Sequence, residues 1–394
     1  MDDYPVVDSR LHIKAPAGEH WRRIDDLREA HPFYWNTDGQ GHWVLTRFEE
    51  IREAFQDPAT FSNHSIVATD PDPAYRFLPS HLDPPEHMEL RHLLNRWFAP
   101  AAVEAIRPAL TAHAAREVAA VVDAGHCDAM TTIGDQFPVA GFLTSVGLPL
   151  SEAAFFVSRV RRISGVLSDP TADKSDAMAA WSEIAAYWAG VIADRRQQPR
   201  DPDVDLMSYL VGCTIHDEPL PDRDLLDLAV TLTFGSLDTT KSQLGWALFH
   251  FATHPEDRAR IVADPALIPD AVEEILRAYP IVSMARKVTH DVEFHGCPMK
   301  KGQMVLLSIQ SATRDPRVFP AADEVIIDRR PNRHIAFGAS AHRCLGSHLA
   351  RAELQVALTE WHRLIPDYQL DSTETPIARG GQVSLLELPL RWRD

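Results

Sequence analysis

The sequence predicts a mainly α protein with small β-sheets (an α+β fold). Apolar residues recur at helical spacing over much of the chain, and the predicted helices cover residues 21–31, 86–97, 101–124, 133–147, 151–167, 174–196, 222–254, 268–279 and 345–364. Strand-like alternation is confined to residues 42–48, 287–296, 303–310 and 383–392. These pieces do not alternate regularly with helices, and no Gly-x-Gly-x-x-Gly follows a strand, so a doubly wound α/β fold is excluded.

Composition narrows the class of protein further. The 394 residues are 45% hydrophobic and carry a formal net charge of -17. Such an acidic balance argues against a general nucleic-acid binder, which needs clustered Lys and Arg. No flexible linker interrupts the chain, which favours a single domain over residues 1–394. The start MDDYPVVDSR has no apolar signal segment, and no run of about 18 apolar residues follows, so we expect a cytoplasmic, soluble protein without membrane contact.

A long proline-rich segment follows the first predicted strand. It covers about residues 58–85 and shows no clear period, but it contains the apolar side chains of Ile66, Val67, Tyr75, Phe77 and Leu78. Loops of this length in compact domains are usually functional lids or disordered segments. The apolar content favours a lid.

The predicted helix at about 222–254 is long for a globular protein, at about 50 Å with 1.5 Å per residue. Its apolar residues lie on nearly all sides, as expected for a buried helix. Its middle nevertheless reads GSLDTT, and a buried carboxylate with hydroxyls costs several kcal/mol if unpaired. We therefore expect a functional groove at this point.

Cys344 is one of four widely spaced cysteines, which form no CxxC pair and indicate free thiols in a reducing compartment. It lies between a glycine-containing loop and a predicted helix start, where backbone N–H groups and the helix dipole stabilise a thiolate. A metal-ligating sulfur fits this context. A buried free cysteine is the plainer interpretation. Zinc binding with His342 and His348 is a further one, although this spacing matches no common closed zinc site.

Several motifs together resemble the cytochrome P450 family, in family order over most of the chain. FGASAHRCLG is similar to the haem-binding loop of that family, and EEILR with DEVIIDRR supplies its Glu-x-x-Arg helix signature and the following Arg. GSLDTT resembles the oxygen-groove motif of the central helix. DPPEHMELR is similar to the helix entry after the substrate lid, and ATRDPRVF to the Asn-Arg-Asp-Pro segment, with Thr313 in place of Asn.

The resemblance implies a cytochrome P450 fold that holds haem b between the central helix and a haem-ligand loop at about residues 334–346. It makes Cys344 the axial thiolate ligand of the iron and places Phe337, Gly338 and Gly346 around the cofactor. The haem propionates need local cations and donors in so acidic a protein. By motif position these are His87, Arg91, Arg286, His334 and His342.

The resemblance also implies a reaction. Asp238 and Thr239 would relay protons during oxygen activation, whereas Thr239 could also merely bond to the preceding helical turn. Glu274, Arg277 and Arg329 would form a structural ion-pair network. The expected function is a monooxygenase that inserts one atom of O2 into a small apolar substrate. A peroxide-using peroxygenase of the same fold and a non-catalytic haem sensor or carrier are the alternatives.

Partners and substrate follow from the same resemblance. Electrons would come from a separate ferredoxin and its reductase, docking near Arg96, Arg343 and Arg351. The substrate pocket would be lined by Ile66, Val67, Phe77, Leu232, Gly235, Ser236, Val282, Ser283, Met284 and Ser384.

Two residues depart from the family pattern, because Ser236 and Ser340 stand where Gly is usual. The Ser236 hydroxyl either bonds back to the carbonyl of Leu232 or points at the pocket. The Ser340 loop must avoid left-handed backbone angles or tolerate strain.

Overall fold

The structure, a computed structural model, describes residues 4–9, 12–167 and 173–393. The beginning of the acidic N-terminal stretch therefore lies outside the described residues. The helices are α1 (Glu19–Ala30), α2 (Phe48–Gln56), α3 (Glu86–Phe98), α4 (Pro100–Val122), α5 (Ala129–Val146), α6 (Ala153–Leu167), α7 (Ser175–Gln197), α8 (Leu206–Gly212), α9 (Asp222–Thr253), α10 (Pro255–Ala263), α11 (Ile268–Ala278), α12 (Ile309–Ala312) and α13 (Ser347–Leu364).

The strands are short. They are β1 (Val6–Val7), β2 (Ala15–Pro16), β3 (Phe33–Asn36), β4 (His42–Leu45), β5 (Phe61–Ser62), β6 (His126–Asp128), β7 (Thr214–Ile215), β8 (Glu218–Pro219), β9 (Met284–Val288), β10 (Val292–Phe294), β11 (Cys297–Met299), β12 (Met304–Leu307), β13 (Gln369–Leu370), β14 (Ile377–Arg379), β15 (Ser384–Leu385) and β16 (Pro389–Arg391). The prediction of a mainly α protein with small sheets is confirmed.

Four helices were not predicted. Helix α2 carries Phe48, Ile51 and Phe55 on its buried face, which is helical spacing. Its first residue, Phe48, is also the last residue of the predicted strand at 42–48, so the strand-like alternation masks the start of the helix. Helices α8, α10 and α12 have nine residues or fewer, and so short a segment gives little periodicity to detect.

The chain divides into two compact units, each made of separate segments. The first unit comprises Met1–Met88, Asp270–Cys344 and Ile377–Ser384. Its main sheet has six strands in the order β1-β3-β4-β12-β9-β5. Strand β12 pairs in parallel with β4 and antiparallel with β9, with Val305 opposite both Trp43 and Arg286. A hydrophobic core including Trp43, Phe55 and Phe61 packs in this unit.

The second unit comprises Glu89–Pro269, Leu345–Pro376 and Leu385–Asp394 and contains most of the helices. Helix α9 spans 32 residues, close to the predicted 222–254, and packs against α5, α7 and α13. Helix α5 is fixed at both ends: the Asp128 carboxylate accepts a hydrogen bond from Met130 N, and Gly147 ends the helix at φ 76. These contacts hold the polar middle of α9 inside a helical layer.

The predicted lid at 58–85 contains β5 and otherwise consists of turns and irregular backbone. Asp83 anchors it, because its carboxylate accepts hydrogen bonds from Ser62 Oγ at 2.5 Å and Asn63 N at 2.8 Å. Within the part of the chain that the structure describes, no helix combines the length and the apolar character needed to cross a bilayer.

Candidate functional site

The loop before Cys344 is held by its own backbone. Gly338 N donates to Ile335 O at 2.8 Å, and Cys344 N donates to Phe337 O at 2.8 Å. The segment Ser340–His342 forms a single 3₁₀ turn, and α13 begins at Ser347 with Gly346 as its N-cap. Cys344 is exposed, so the interpretation as a buried free cysteine is wrong. The loop therefore presents the thiol at its surface, three residues before a long helix.

The other three cysteines are poor thiolates, because burial raises the pKa of each thiol. The pKa of Cys127 rises to about 11, and the pKa values of Cys213 and Cys297 are also raised. No group of three or more His, Cys, Asp or Glu side chains suited to a metal ion occurs among the described residues. The zinc interpretation around Cys344 thus has no support.

Ser340 adopts the left-handed backbone region with φ 61, two residues after Gly338 with φ 72. The loop therefore tolerates the strain that a residue with a Cβ brings to this region, a cost of about 1–2 kcal/mol. At Gly338 an added Cβ would meet no atom closer than 4.0 Å. A positive φ, and not close packing, is therefore what Gly338 and Ser340 share.

We expect Ser340→Gly to stabilise the loop by about 1 kcal/mol, because glycine adopts this backbone conformation without strain. The measurement is the temperature of thermal cofactor loss. Gly338→Ala is the matched opposite change and should lower that temperature by a similar amount. A lower temperature for Ser340→Gly would contradict the strain argument.

Two of the predicted cofactor-binding histidines meet in the first unit. The imidazole rings of His87 and His342 lie 3.7 Å apart between centroids at 35°, and His87 is only 1% exposed. The structure thus brings together one residue of α3 and one of the haem-ligand loop.

The surroundings of Arg286 show whether an anionic cofactor fits this part of the chain. Its guanidinium is 3% exposed, donates to Ala285 O at 2.7 Å and lies 5.0 Å from the Phe55 ring. Burial lowers its pKa to about 10, and Asp83 offsets only part of that cost through a charge interaction. Arg286 has no ion pair within the described ranges. A carboxylate of a bound group would supply one, so the residues fit the haem propionates.

Phe55 was not predicted, although it links Arg286 to the loop. Its ring also lies 4.0 Å from the position of a Cβ added at Gly338. Residue spacing does not reveal this contact, because Phe55 belongs to the unpredicted helix α2.

The structure gives other partners to three predicted cations. His334 Nε2 lies 3.0 Å from Glu273 Oε2, and its Nδ1 accepts from Ala336 N, so both ring nitrogens are engaged. The role of His334 toward the propionates stays a prediction. Arg91 Nε donates to Asn95 at 3.1 Å on the same helix. Arg96 forms an exposed ion pair with Asp203 at 2.6 Å.

Glu274, Arg277 and Arg329 form a buried network. Both guanidinium groups donate to the Glu274 carboxylate at 2.8–3.0 Å, and the side chains of Glu274 and Arg277 are 0% exposed. Asn332 Nδ2 and Ile326 N add two further hydrogen bonds to the same carboxylate. Every donor lies within residues 277–332, so this cluster ties α11 to the segment that leads to the haem-ligand loop.

The polar middle of α9 is ordered by hydrogen bonds in the second unit. Thr239 Oγ1 donates to Gly235 O at 2.7 Å, and Asp238 is 8% exposed. Ser164 Oγ of α6 donates to Asp238 Oδ1 at 2.8 Å. Ser236 Oγ makes no bond back to Leu232 among the residues described. An added Cβ at Gly235 meets no atom within 4 Å, so this turn of α9 borders open space.

Glu353 of α13 is a second buried acid beside α9. Thr240 Oγ1 donates to its Oε2 at 3.3 Å, and burial raises the pKa of Glu353 well above its ordinary value. Helix α5 makes room for this carboxyl, because a Cβ added at Gly141 would collide with Glu353 Oε1. Sequence spacing gave no signal for Glu353 or for Ser164, since their partners lie far away along the chain.

The predicted pocket residues of the first unit lie on adjacent segments. Ile66 O accepts a hydrogen bond from Ala285 N at 3.0 Å, which joins the lid to β9 beside Met284. Val383 N donates to Ile281 O at 2.8 Å, and this bond aligns the neighbours Ser384 and Val282.

The exposure of these pocket residues differs. Val67 is 37% exposed and Ser384 is 3% exposed, while Phe77, Leu232, Ser236, Val282, Ser283 and Met284 are partly buried. Ser384 therefore faces the protein interior more than the other predicted lining residues.

Comparison with known proteins agrees with these features. The sequence pattern of the cytochrome P450 family matches residues 152–376. The chain is 32% identical to mycinamicin IV hydroxylase/epoxidase of Micromonospora griseorubida over 99% of this chain and 98% of the relative. It is 33% identical to nocardicin C N-oxygenase of Nocardia uniformis subsp. tsuyamanensis over 90% of each chain.

Solved structures give the same result. The crystal structure of CYP101J2 superimposes with a TM-score of 0.88 at 29% identity, covering 99% of this chain and 97% of the other. The bottromycin biosynthetic protein SalCYP has a TM-score of 0.87 at 30% identity, covering 99% and 95%. The chain therefore belongs to the cytochrome P450 family and is a haem b-dependent monooxygenase.

Proposed function

We propose that this protein inserts one atom of O2 into a small, apolar organic substrate by hydroxylation, epoxidation or oxidative dealkylation, with electrons from a separate ferredoxin and its reductase. The observation that carries the proposal is the ordered Asp238-Thr239 pair on α9. Asp238 is largely buried, and Thr239 is fixed to Gly235 O at a turn that borders open space. Oxygen activation needs protons delivered to one place, and a buried carboxylate beside an ordered hydroxyl can deliver them.

Cys344 would hold the haem iron through its thiolate. Its exposed thiol is fixed by a short loop, while burial raises the pKa values of the other three cysteines and keeps them protonated. When bound through a thiolate, haem supplies the electron-rich iron that favours O–O cleavage. The protein thus offers the Cys344 thiol for ligation, whereas the other three thiols stay protonated.

Arg286, His87 and His342 are the proposed propionate donors. Arg286 contributes a buried positive charge without an ion pair in the described part of the chain, and the two histidines lie in contact. Charge-assisted hydrogen bonds from these groups would hold the two carboxylates of the cofactor. Arg91 of α3, which donates to Asn95, stays a proposed fourth donor by its position in the motif.

Asp238 and Thr239 are the proposed proton-handling residues. A carboxylate that accepts a hydroxyl hydrogen bond can take up a proton and give it up again, and the Thr239 hydroxyl can donate and accept at once. Its bond to Gly235 O sets the direction of that hydroxyl. Together they can present one proton at a defined point of α9.

The electron donor is proposed to be an acidic iron–sulfur protein. Arg343 is exposed beside Cys344, and Arg351 follows on the first turns of α13. Arginines near the ligand would steer a negatively charged partner even though the whole chain is acidic. Arg96 remains a third proposed residue of this surface, and it also forms an exposed ion pair with Asp203.

The proposed substrate is apolar, because the candidate lining residues are mainly aliphatic or aromatic. Relatives of this chain include a mycinamicin IV hydroxylase/epoxidase, a nocardicin C N-oxygenase and a methyl-branched lipid omega-hydroxylase, so a substrate screen has to span different compound classes. A screen of terpenoid, aromatic, fatty acyl and macrolide compounds for a change in the haem absorption spectrum identifies the class.

Turnover tests the proposal directly. The purified protein, NAD(P)H and a surrogate ferredoxin system should convert a spectrally active compound into a product that carries one oxygen atom from ¹⁸O2. Product with peroxide alone, and none with the ferredoxin system, would indicate a peroxygenase. A spectral response without product under either condition would indicate a carrier or sensor.

We expect Thr239→Ala to leave substrate affinity within about twofold while product per NAD(P)H falls about fivefold or more, because protons arrive less efficiently. Electrons should then appear as peroxide or water. Thr231→Ala is the matched control, since Thr231 Oγ1 makes the same type of bond to Asp227 O at 2.7 Å. Unchanged yield in Thr239→Ala would remove Thr239 from the reaction.

A further inference from the structure

Ser164 of α6 holds the carboxylate on which the proposed proton supply depends. Its Oγ donates to Asp238 Oδ1 at 2.8 Å across the contact between α6 and α9. Asp238 is 8% exposed, whereas Ser164 is partly exposed. The hydroxyl of a partly exposed residue therefore bonds to a buried carboxylate. The sequence motif that singled out Asp238 does not include Ser164.

One helical turn away, the same two helices carry a charged cluster. Arg161 lies three residues before Ser164, and Lys241 lies three residues after Asp238. Both cations bind Asp135 of α5, Arg161 at 2.6 Å and Lys241 at 2.5 Å.

Exposure falls steadily across this cluster. The Arg161 side chain is 47% exposed, that of Lys241 17% and that of Asp135 4%. The ion-paired groups thus extend from the protein surface at Arg161 to the buried carboxylate of Asp135. The cluster also fixes α5, α6 and α9 to one another where Ser164 meets Asp238.

Hydrogen-bond chemistry favours an active role for Ser164. A hydroxyl can donate to a carboxylate and accept from water at the same time, and it carries no charge that would need a counter-ion. A methyl group at this place would leave Asp238 Oδ1 without this donor. A serine that served packing alone would not need to donate its hydroxyl hydrogen to Asp238.

We propose that Ser164 is a positioning residue that orients Asp238 and passes solvent protons to it from the α6 side. This inference rests on the proposed function. In each transfer the Ser164 hydroxyl proton moves to Asp238 Oδ1, while the Ser164 oxygen takes one proton from solvent. Ser164 is unchanged, Asp238 becomes a neutral acid that can release its proton, and no electron moves.

The test compares Ser164→Ala with Ser164→Thr, which keeps the hydroxyl. Ser158→Ala is the control on the same helix, since Ser158 Oγ is exposed and donates to Phe155 O. Each holoprotein is assayed with the surrogate ferredoxin system in H2O and D2O, and substrate affinity is measured by spectral titration. Product and peroxide are counted against NAD(P)H.

Ser164→Ala should form product about tenfold more slowly, with more peroxide and a larger solvent isotope effect, while substrate affinity stays within about twofold. Ser164→Thr and Ser158→Ala should match the wild type. A wild-type rate and isotope effect in Ser164→Ala, or equal losses in the Ala and Thr variants, would overturn the inference alone. A wild-type protein that makes no product overturns the proposed function and this inference with it.

Discussion

Cys344→His should give a folded protein whose reduced carbon monoxide complex lacks the red-shifted thiolate band and whose turnover is below about 1% of wild type. Imidazole can bind iron, but it does not push electron density onto it as a thiolate does. The measurement is the difference spectrum of the reduced protein, followed by the turnover assay.

Cys127→Ser is the control for this experiment. Burial raises the pKa of Cys127 to about 11, so this thiol is protonated at neutral pH and should not influence the spectrum. A thiolate band that persists in Cys344→His would show that another sulfur binds the iron.

Glu274→Gln should destabilise the protein by about 3–5 kcal/mol, because it leaves the guanidinium of Arg277 buried without a charged partner. Arg277 is 0% exposed, so water cannot replace the lost carboxylate. The amide could keep one or two of the present hydrogen bonds but not the negative charge. The measurement is the free energy of unfolding from urea denaturation.

Glu104→Gln is the matched control, since Glu104 pairs with Arg107 at 2.7 Å on the surface of α4. Exposed pairs of this kind contribute about 0–1 kcal/mol. If both variants lost the same small amount of stability, Glu274 would not hold the network together.

The predicted helices came from local spacing, and the ion-pair signature came from the family resemblance together with that spacing. Glu274 and Arg277 are three residues apart, which places them on one helical face, and the structure pairs them. The central helix was predicted at 222–254 and found at Asp222–Thr253, because a long apolar pattern defines its ends well.

What the sequence could not give were partners distant along the chain. Glu273 lies 61 residues from His334, and Asp203 lies 107 residues from Arg96. Each residue matched its expected role by position, but the fold supplies a competing carboxylate. The same limit hid Ser164, which lies 74 residues from Asp238. Motif spacing identifies a reactive side chain, whereas its neighbours depend on how helices pack.

Burial of Glu353 makes the stability of the folded protein depend on pH. Its pKa is raised well above the ordinary 4.5 because the carboxyl is buried, so the folded chain keeps a proton that the unfolded chain releases above that pH. Where the native state binds more protons than the unfolded state, stability falls as pH rises. This single carboxyl therefore favours the folded form toward acid and weakens it progressively from about pH 4.5 up to its own native pKa. Gly141, which leaves space for this carboxyl, thereby contributes to the loss of folding stability at higher pH.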